Sequence, residues 1–421
     1  MKRNFVTGLL SGLCGTIVLF AVVIGVYFFA GGRLITNAQH DIEDGAENNQ
    51  TVGTQQVSDK EAPFKEVVSK LSFLETLVDK YYLNDVNPDA FADGIYKGFM
   101  SSLKDPYSTY YTKEEYSALM DSSSGSYCGI GATVSQDVKT GIITVVKPFE
   151  TGPAQKAGIL PGDILYTVDG EKVTGLDLTQ VVSKMKGKEG TEVQIAIVRE
   201  GVTEPMNFTI TRGEVEVPTV SSQMLKGKIG YIIISEFDEI TVGQFVSAVD
   251  KLEKDGMKGL VVDVRNNPGG MLTSVVSILD RLLPKGLVVY TEDKYGNRVE
   301  QNAKDAIKIN VPMAVLINGN SASASEIFAG TIQDDKAGTI IGTTSFGKGI
   351  VQKVIPLTDG TAVKMTISKY YTPKGRNIQG IGITPDIKVE LNDDLRQMAK
   401  IPLDKDNQLQ EAIKCVKDQI K

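Results

Sequence analysis

The sequence predicts a multidomain α/β protein behind an N-terminal transmembrane helix. An unbroken uncharged run fills residues 4–32, a glycine-punctuated strand pattern fills 126–213, and strands alternate with amphipathic helices from Lys228 onward. At 421 residues there is room for roughly two to four domains of about 100–200 residues each. Apolar residues make up 41%, enough for a sizeable core.

Composition removes several function classes. With 45 basic and 52 acidic residues the net charge is -7, which argues against broad nucleic-acid binding. There is one histidine, His40, so a Ser-His-Asp triad, a Cys-His dyad or a multi-histidine metal site would all depend on it. The three cysteines, Cys14, Cys128 and Cys415, are far apart and lack metal spacing. Cys128 could pair with Cys415, but free thiols are the expectation.

Taken in order, residues 1–32 form a cytoplasmic N-terminus and membrane anchor. Lys2 and Arg3 precede an apolar run long enough to span a hydrocarbon core at about 1.5 Å per residue. The run exceeds an ordinary signal-peptide core, and Leu13 before Cys14 does not suit a lipoprotein signal; a cleaved signal peptide is the alternative. Lys2 and Arg3 then stay cytoplasmic, and everything beyond Arg33 is exported through a single-pass cell-membrane anchor. Residues 33–62 are acidic and poor in large aliphatics, so they read as a flexible stalk. His40 sits in that stalk, where a catalytic role is not expected.

Residues 63–125 form a helical segment. Its apolar spacing runs from Phe64 to Tyr81, and a second helix is capped by Asn87 with Pro88 in its first turn. Those apolar faces need a neighbouring domain or a second subunit. Residues 126–213 form a compact strand-rich module with short helices near Pro153–Ala157 and Leu178–Met185. Residues 214–390 form the α/β core, and residues 391–421 a C-terminal helical segment without an evident site.

Four stretches could carry chemistry. Ser321-Ala-Ser-Ala-Ser-Glu326 lies between an apolar strand and a helix, where a serine can be a helix cap or an exposed nucleophile. Lys348 sits in Gly342-Thr-Thr-Ser-Phe-Gly-Lys-Gly349, which ends in glycine where a phosphate-binding loop needs Ser or Thr. It is either a solvated turn lysine or a functional one, and Gln352 four residues on shares its face in a strand or a helix. Gly269-Gly270, after a strand and Arg265-Asn-Asn-Pro268, form either an ordinary turn or a set of bare backbone donors. In the strand-rich module, Gly129-Ile-Gly-Ala132 precedes a strand, as in loops that bind a terminal carboxylate while the peptide adds a strand.

Together these features resemble the C-terminal processing peptidases, or tail-specific proteases, of the membrane-anchored bacterial type with a PDZ domain. The resemblance runs from the first helices to about Glu390. It rests on Asp105-Pro-Tyr-Ser-Thr-Tyr110, the PDZ-like module, Asp263-Val-Arg-Asn-Asn-Pro-Gly-Gly270, Ser321-Ala-Ser-Ala-Ser-Glu326, Phe346-Gly-Lys-Gly349 and Gly382-Ile-Thr-Pro-Asp386. It implies a crotonase-like α/β serine protease core with helical dimerisation segments. It makes Ser323 the nucleophile, Lys348 its general base and Gln352 the residue orienting the lysine, with Asp334 a secondary candidate for that third role. Gly269, Gly270 and Ala324 become the oxyanion donors, and Gly129, Ile130, Gly131 and Ala132 the peptide-binding loop. The implied function is a serine endopeptidase that processes extracytoplasmic proteins with apolar C-termini. The implied assembly is a homodimer, with room for a regulatory protein partner.

Such chemistry suits a histidine-poor chain and requires no metal, cofactor or nucleotide. Lysine is a base only when neutral, which from a pKa of about 10.4 costs about 4–5 kcal/mol at pH 7 unless the site lowers it. Desolvation does so, so a dry pocket around Lys348 and activity rising toward alkaline pH are expected. The rival from another class is a catalytically silent, membrane-tethered PDZ scaffold that binds C-terminal tails; nucleotide binding at residues 342–349 is a distant third.

Overall fold

The computed structural model describes residues 61–304, 309–398 and 401–420. The anchor, most of the stalk and His40 lie outside the described residues. Among the described residues no helix is long and apolar enough to cross a membrane. The chain divides after Asp85 into two units. In the first, a helix spans Glu61–Tyr81, and its Phe64, Val67, Val68, Phe73 and Leu74 are exposed.

The second unit opens with the helix Pro88–Ser101, begun by proline in its first turn, where a missing N–H costs nothing. A three-residue strand, Thr109–Tyr111, leads to the helix Lys113–Ser124. Thr112 and Glu115 close its start as a reciprocal capping box, and Gly125 ends it at φ 69°.

The strand-rich domain follows. Its sheet runs in the order Ala132–Gln136, Ile143–Pro148, Ile164–Val168, Glu192–Val198, Met206–Thr211, and all of these neighbours are antiparallel. Short helices at Pro153–Ala157 and Leu178–Met185 close its core, which centres on Ile143, Leu165, Val181, Ile195 and Ile197. Ala132–Gln136 is an edge strand. The ribbon Ser126–Gly129 with Gly213–Glu216 joins the two ends of this domain.

The α/β core is built on six strands in the order Val220–Leu225, Ile229–Ile234, Gly259–Asp263, Met313–Ile317, Thr339–Gly342, Ile387–Lys388. The first pair is antiparallel and every later pair parallel, as crossover connections require. Gly259–Asp263 and Met313–Ile317 are buried at every position, because both sheet faces are covered. Helices Thr241–Lys254, Leu272–Leu282 and Ala324–Asp334 pack on one face. The helix Asn407–Gln419 covers the other with Leu409, Ala412 and Val416.

A second, antiparallel sheet holds Thr109–Tyr111, Ala362–Tyr371, Gly286–Asp293 and Arg298–Ala303, with Ile350–Pro356 also paired to Ala362–Tyr371. Lys348 precedes that Ile350–Pro356 strand, and a register shift between Val351 and Gln352 breaks its alternation. The simple period that would put Lys348 and Gln352 on one face therefore does not apply. Cys128 and Cys415 are free thiols.

Candidate active site

The nucleophile candidate sits where a buried strand turns into a helix. Met313–Ile317 ends inside the sheet, and Ala324–Asp334 begins immediately after Ser323. Ser323 itself adopts φ 53°, ψ -113°, a conformation that an L-residue holds only under constraint. The three serines of the motif divide their work. Ser321 and Ser325 are fully buried and donate to the carbonyls of Val264 and Asn267, at 2.8 and 2.9 Å. Ser323 instead lines an open cleft of about 590 Å³.

Lys348, Gln352, Gly270 and Ala324 line the same cleft. The Lys348 ammonium lies 4.7 Å from the centre of the Tyr107 ring. Burial holds the lysine below its usual pKa, and the positive charge of Lys364 adds to this; Asp105 and Glu326 oppose it. The Gln352 amide is 3.4 Å from Thr366 Oγ1, on the neighbouring strand.

Two residues that sequence reasoning did not single out hold the nucleophile turn against the lysine loop. Glu326 is fully buried, and its carboxylate accepts from four donors. These are the Ser323 N–H at 2.9 Å, Ser345 Oγ at 2.6 Å, the Gly347 N–H at 2.7 Å and the Lys348 N–H at 2.8 Å. Tyr370, also buried, donates toward the Ser323 carbonyl at 3.0 Å and the Lys348 carbonyl at 2.5 Å. The sequence signalled only the local half of this, the Ser-x-x-Glu helix start.

The glycine turn needs one correction. Gly269 packs directly on Ser323: a Cβ there would lie 2.8 Å from the Ser323 Cβ and 3.0 Å from the Ala324 N. Its N–H, however, donates to Asn267 Oδ1 at 2.8 Å, so it is not free for an oxyanion. Gly270 faces the cleft at φ 139°, and a Cβ at this position would collide with the Phe237 carbonyl, so no other residue fits. Buried Asn267 organises this loop. Its amide donates to the Ile234 carbonyl, and its own carbonyl accepts from the Ala322 N–H.

Asp334 stands elsewhere. It lies at the far end of the Ala324–Asp334 helix, where its carboxylate accepts from Arg376 at 2.5 Å and from the Lys374 N–H at 2.9 Å. It does not line the cleft. In the strand-rich domain Gly129 ends one strand and Ala132 begins the edge strand. Between them Ile130 is buried, and Gly131, at φ 73°, accepts from the Phe149 N–H.

Comparison with known proteins gives the family. Residues 228–389 fit peptidase family S41, residues 143–199 a PDZ domain, and residues 22–115 the N-terminal domain of the activating protease CtpB. A carboxy-terminal-processing protease of Bartonella bacilliformis is 42% identical over 70% of this chain and 68% of its own. The carboxy-terminal processing protease CtpA of Bacillus subtilis is 36% identical over 84% of this chain and 74% of its own. A solved structure from Bacteroides fragilis, assigned to the S41 proteases, covers 89% of this chain and 99% of its own at TM-score 0.50 and 15% identity, a likeness of fold. The chain belongs to peptidase family S41, as a serine peptidase of the carboxy-terminal processing type that carries a PDZ domain.

Proposed function

We propose that this peptidase works through a Ser323–Lys348 dyad, on exported proteins that it engages by their C-terminal tails. The observation that carries the reading is a half-buried lysine of lowered pKa, facing the same cleft as a serine on a strained strand-to-helix turn. Neutral Lys348 takes the proton from Ser323 Oγ as that oxygen attacks the scissile carbonyl. The oxyanion so formed receives the N–H groups of Gly270 and Ala324, at the positive end of the nucleophile helix. Lys348 then returns its proton to the leaving amine, and water, deprotonated by the same lysine, cleaves the acyl ester. Gln352 orients the lysine; Asp334, tied to Arg376, has no part in this step.

The edge strand Ala132–Gln136 supports peptide addition in the PDZ domain, with the loop at residues 129–132 receiving the tail carboxylate. The exposed apolar side of Glu61–Tyr81 supports a homodimer contact, and the apolar run at residues 4–32 a membrane anchor that leaves the peptidase outside the cytoplasm.

Cleavage of an unfolded protein with an apolar C-terminus by wild type, Ser323→Ala and Lys348→Ala tests the dyad. Cleavage by wild type alone is expected. Equal cleavage by all three would remove these residues from the mechanism, and tail binding without cleavage by any would favour the silent scaffold.

A further inference from the structure

The catalytic cleft carries two carboxyl groups that the proposed mechanism leaves idle. Glu236 and Asp238 both line it, just beyond the Ile229–Ile234 strand. Phe237 between them is fully buried in the core, so in this extended stretch its two neighbours project the opposite way, toward the cleft. The stretch is fastened to the glycine turn. The Phe237 N–H donates to the Gly269 carbonyl at 2.9 Å, and the Met271 N–H donates to the Phe237 carbonyl at 2.7 Å. Both acids are therefore one residue away from the group that packs on Gly270.

Asp238 is only 4% exposed. Its main chain is fully engaged: its N–H donates to Thr241 Oγ1 at 2.9 Å, and its carbonyl accepts from Ser274 Oγ at 2.8 Å. Its carboxyl group has no donor or cation among the described residues. Burial, reinforced by the Glu236 charge, pushes its pKa up to about 7, and burial raises Glu236 too. The helices packed around it present Ser123 and Ser274, and the cleft's cations, Lys348 and Lys364, come from the second sheet's side. Asp238 thus holds an unpaired carboxyl group at the cleft wall, where a cation on the occupant of the cleft would find it free to pair.

We propose that Glu236 and Asp238 form an acidic subsite that receives a lysine or arginine side chain of the substrate, close to the bond being cut. This rests on the cleft's being the peptidase site. The pair then acts in specificity rather than in bond making. Its selectivity is a difference between peptides rather than a change in the rate of chemistry.

The test uses the full chain and peptides that are identical except at one residue. That residue is lysine, norleucine or glutamate, placed in turn at each position flanking the cleavage site. At one of these positions kcat/KM for lysine should exceed that for norleucine by about tenfold at pH 8, as one charge-assisted hydrogen bond gives. Glutamate should be the poorest. The lysine-to-norleucine ratio should shrink at pH 6, where Asp238 is protonated, and fall toward one in Asp238→Asn and in Glu236→Gln. Binding of the same peptides to Ser323→Ala, followed by fluorescence anisotropy, reads the subsite without turnover. A ratio near one at every position, or an unchanged ratio in both variants, would overturn the subsite. Cleavage without preference would leave the peptidase mechanism standing, whereas lysine-selective binding without cleavage would retain the subsite and remove the mechanism.

Discussion

In the proposed dyad the chemistry turns on Lys348, and its surroundings set two opposed tests. Burial and the Lys364 charge favour its neutral form, whereas Asp105 and Glu326 favour the charged one. Only the neutral amine can accept the Ser323 proton, so kcat/KM should rise with pH through a pKa that lies below the ordinary lysine value. Replacing Asp105 with asparagine removes a negative charge that stabilises the ammonium, and the ascending limb should move to lower pH. Lys364→Met removes a positive charge that destabilises it, and the limb should move to higher pH. The pH–rate profiles of the two variants check this; shifts of the same sign would contradict the electrostatic account. Gly269 offers a steric counterpart, because any side chain there meets the Ser323 Cβ and the Ala322 carbonyl, both at 2.8 Å. Gly269→Ala should cost about a hundredfold in kcat, the usual scale for misplacing a reacting group by an ångström.

At the scale of elements, the site is a clasp between the start of the nucleophile helix and the loop before the Ile350–Pro356 strand. Tyr370 closes it on one side by donating to the carbonyls of Ser323 and Lys348. Tyr370→Phe leaves both carbonyls without that donor, so stability should fall by about 1–3 kcal/mol in a urea titration. Because the loss falls on alignment, kcat should drop while KM changes little; a change in KM alone would mean that Tyr370 shapes substrate binding instead. Much of this element level was legible in the sequence. The alternation of strands and amphipathic helices from Lys228 onward announced the crossover core that holds the Ile229–Ile234 and Met313–Ile317 strands and the Thr241–Lys254 and Leu272–Leu282 helices. The strands Ile350–Pro356 and Ala362–Tyr371 were not legible. They are half-exposed, rich in lysine, and paired with segments as distant as Thr109–Tyr111, so no local period marks them. For the same reason the sequence showed Glu326 as a helix cap but not its reach to Ser345, Gly347 and Lys348.

Across the whole molecule, the C-terminal segment proves to be more than a passive tail. Arg265, in the loop that leads to Gly269 and Gly270, directs its guanidinium to Asp263, Asp406 and Gln408, with contacts of 2.6 to 3.1 Å. Asp406 also accepts from the Leu409 N–H, which begins the helix that seals the far face of the core sheet. One carboxylate thus ties the last helix to the glycine loop. Both members are largely buried, with side chains 11% and 5% exposed, so removing one strands a charge in a poorly solvated place. Asp406→Ala should cost about 3–5 kcal/mol of stability. Asp406→Asn, which keeps one acceptor for Arg265 and the helix cap, should cost less. Urea unfolding of the two variants beside wild type measures this directly. If Asp406→Ala unfolds at the wild-type midpoint, the tether carries no stability and the helix is held by its apolar face alone; a large loss that asparagine partly restores would identify the Arg265–Asp406 bond as the link between the C-terminus and the catalytic loop.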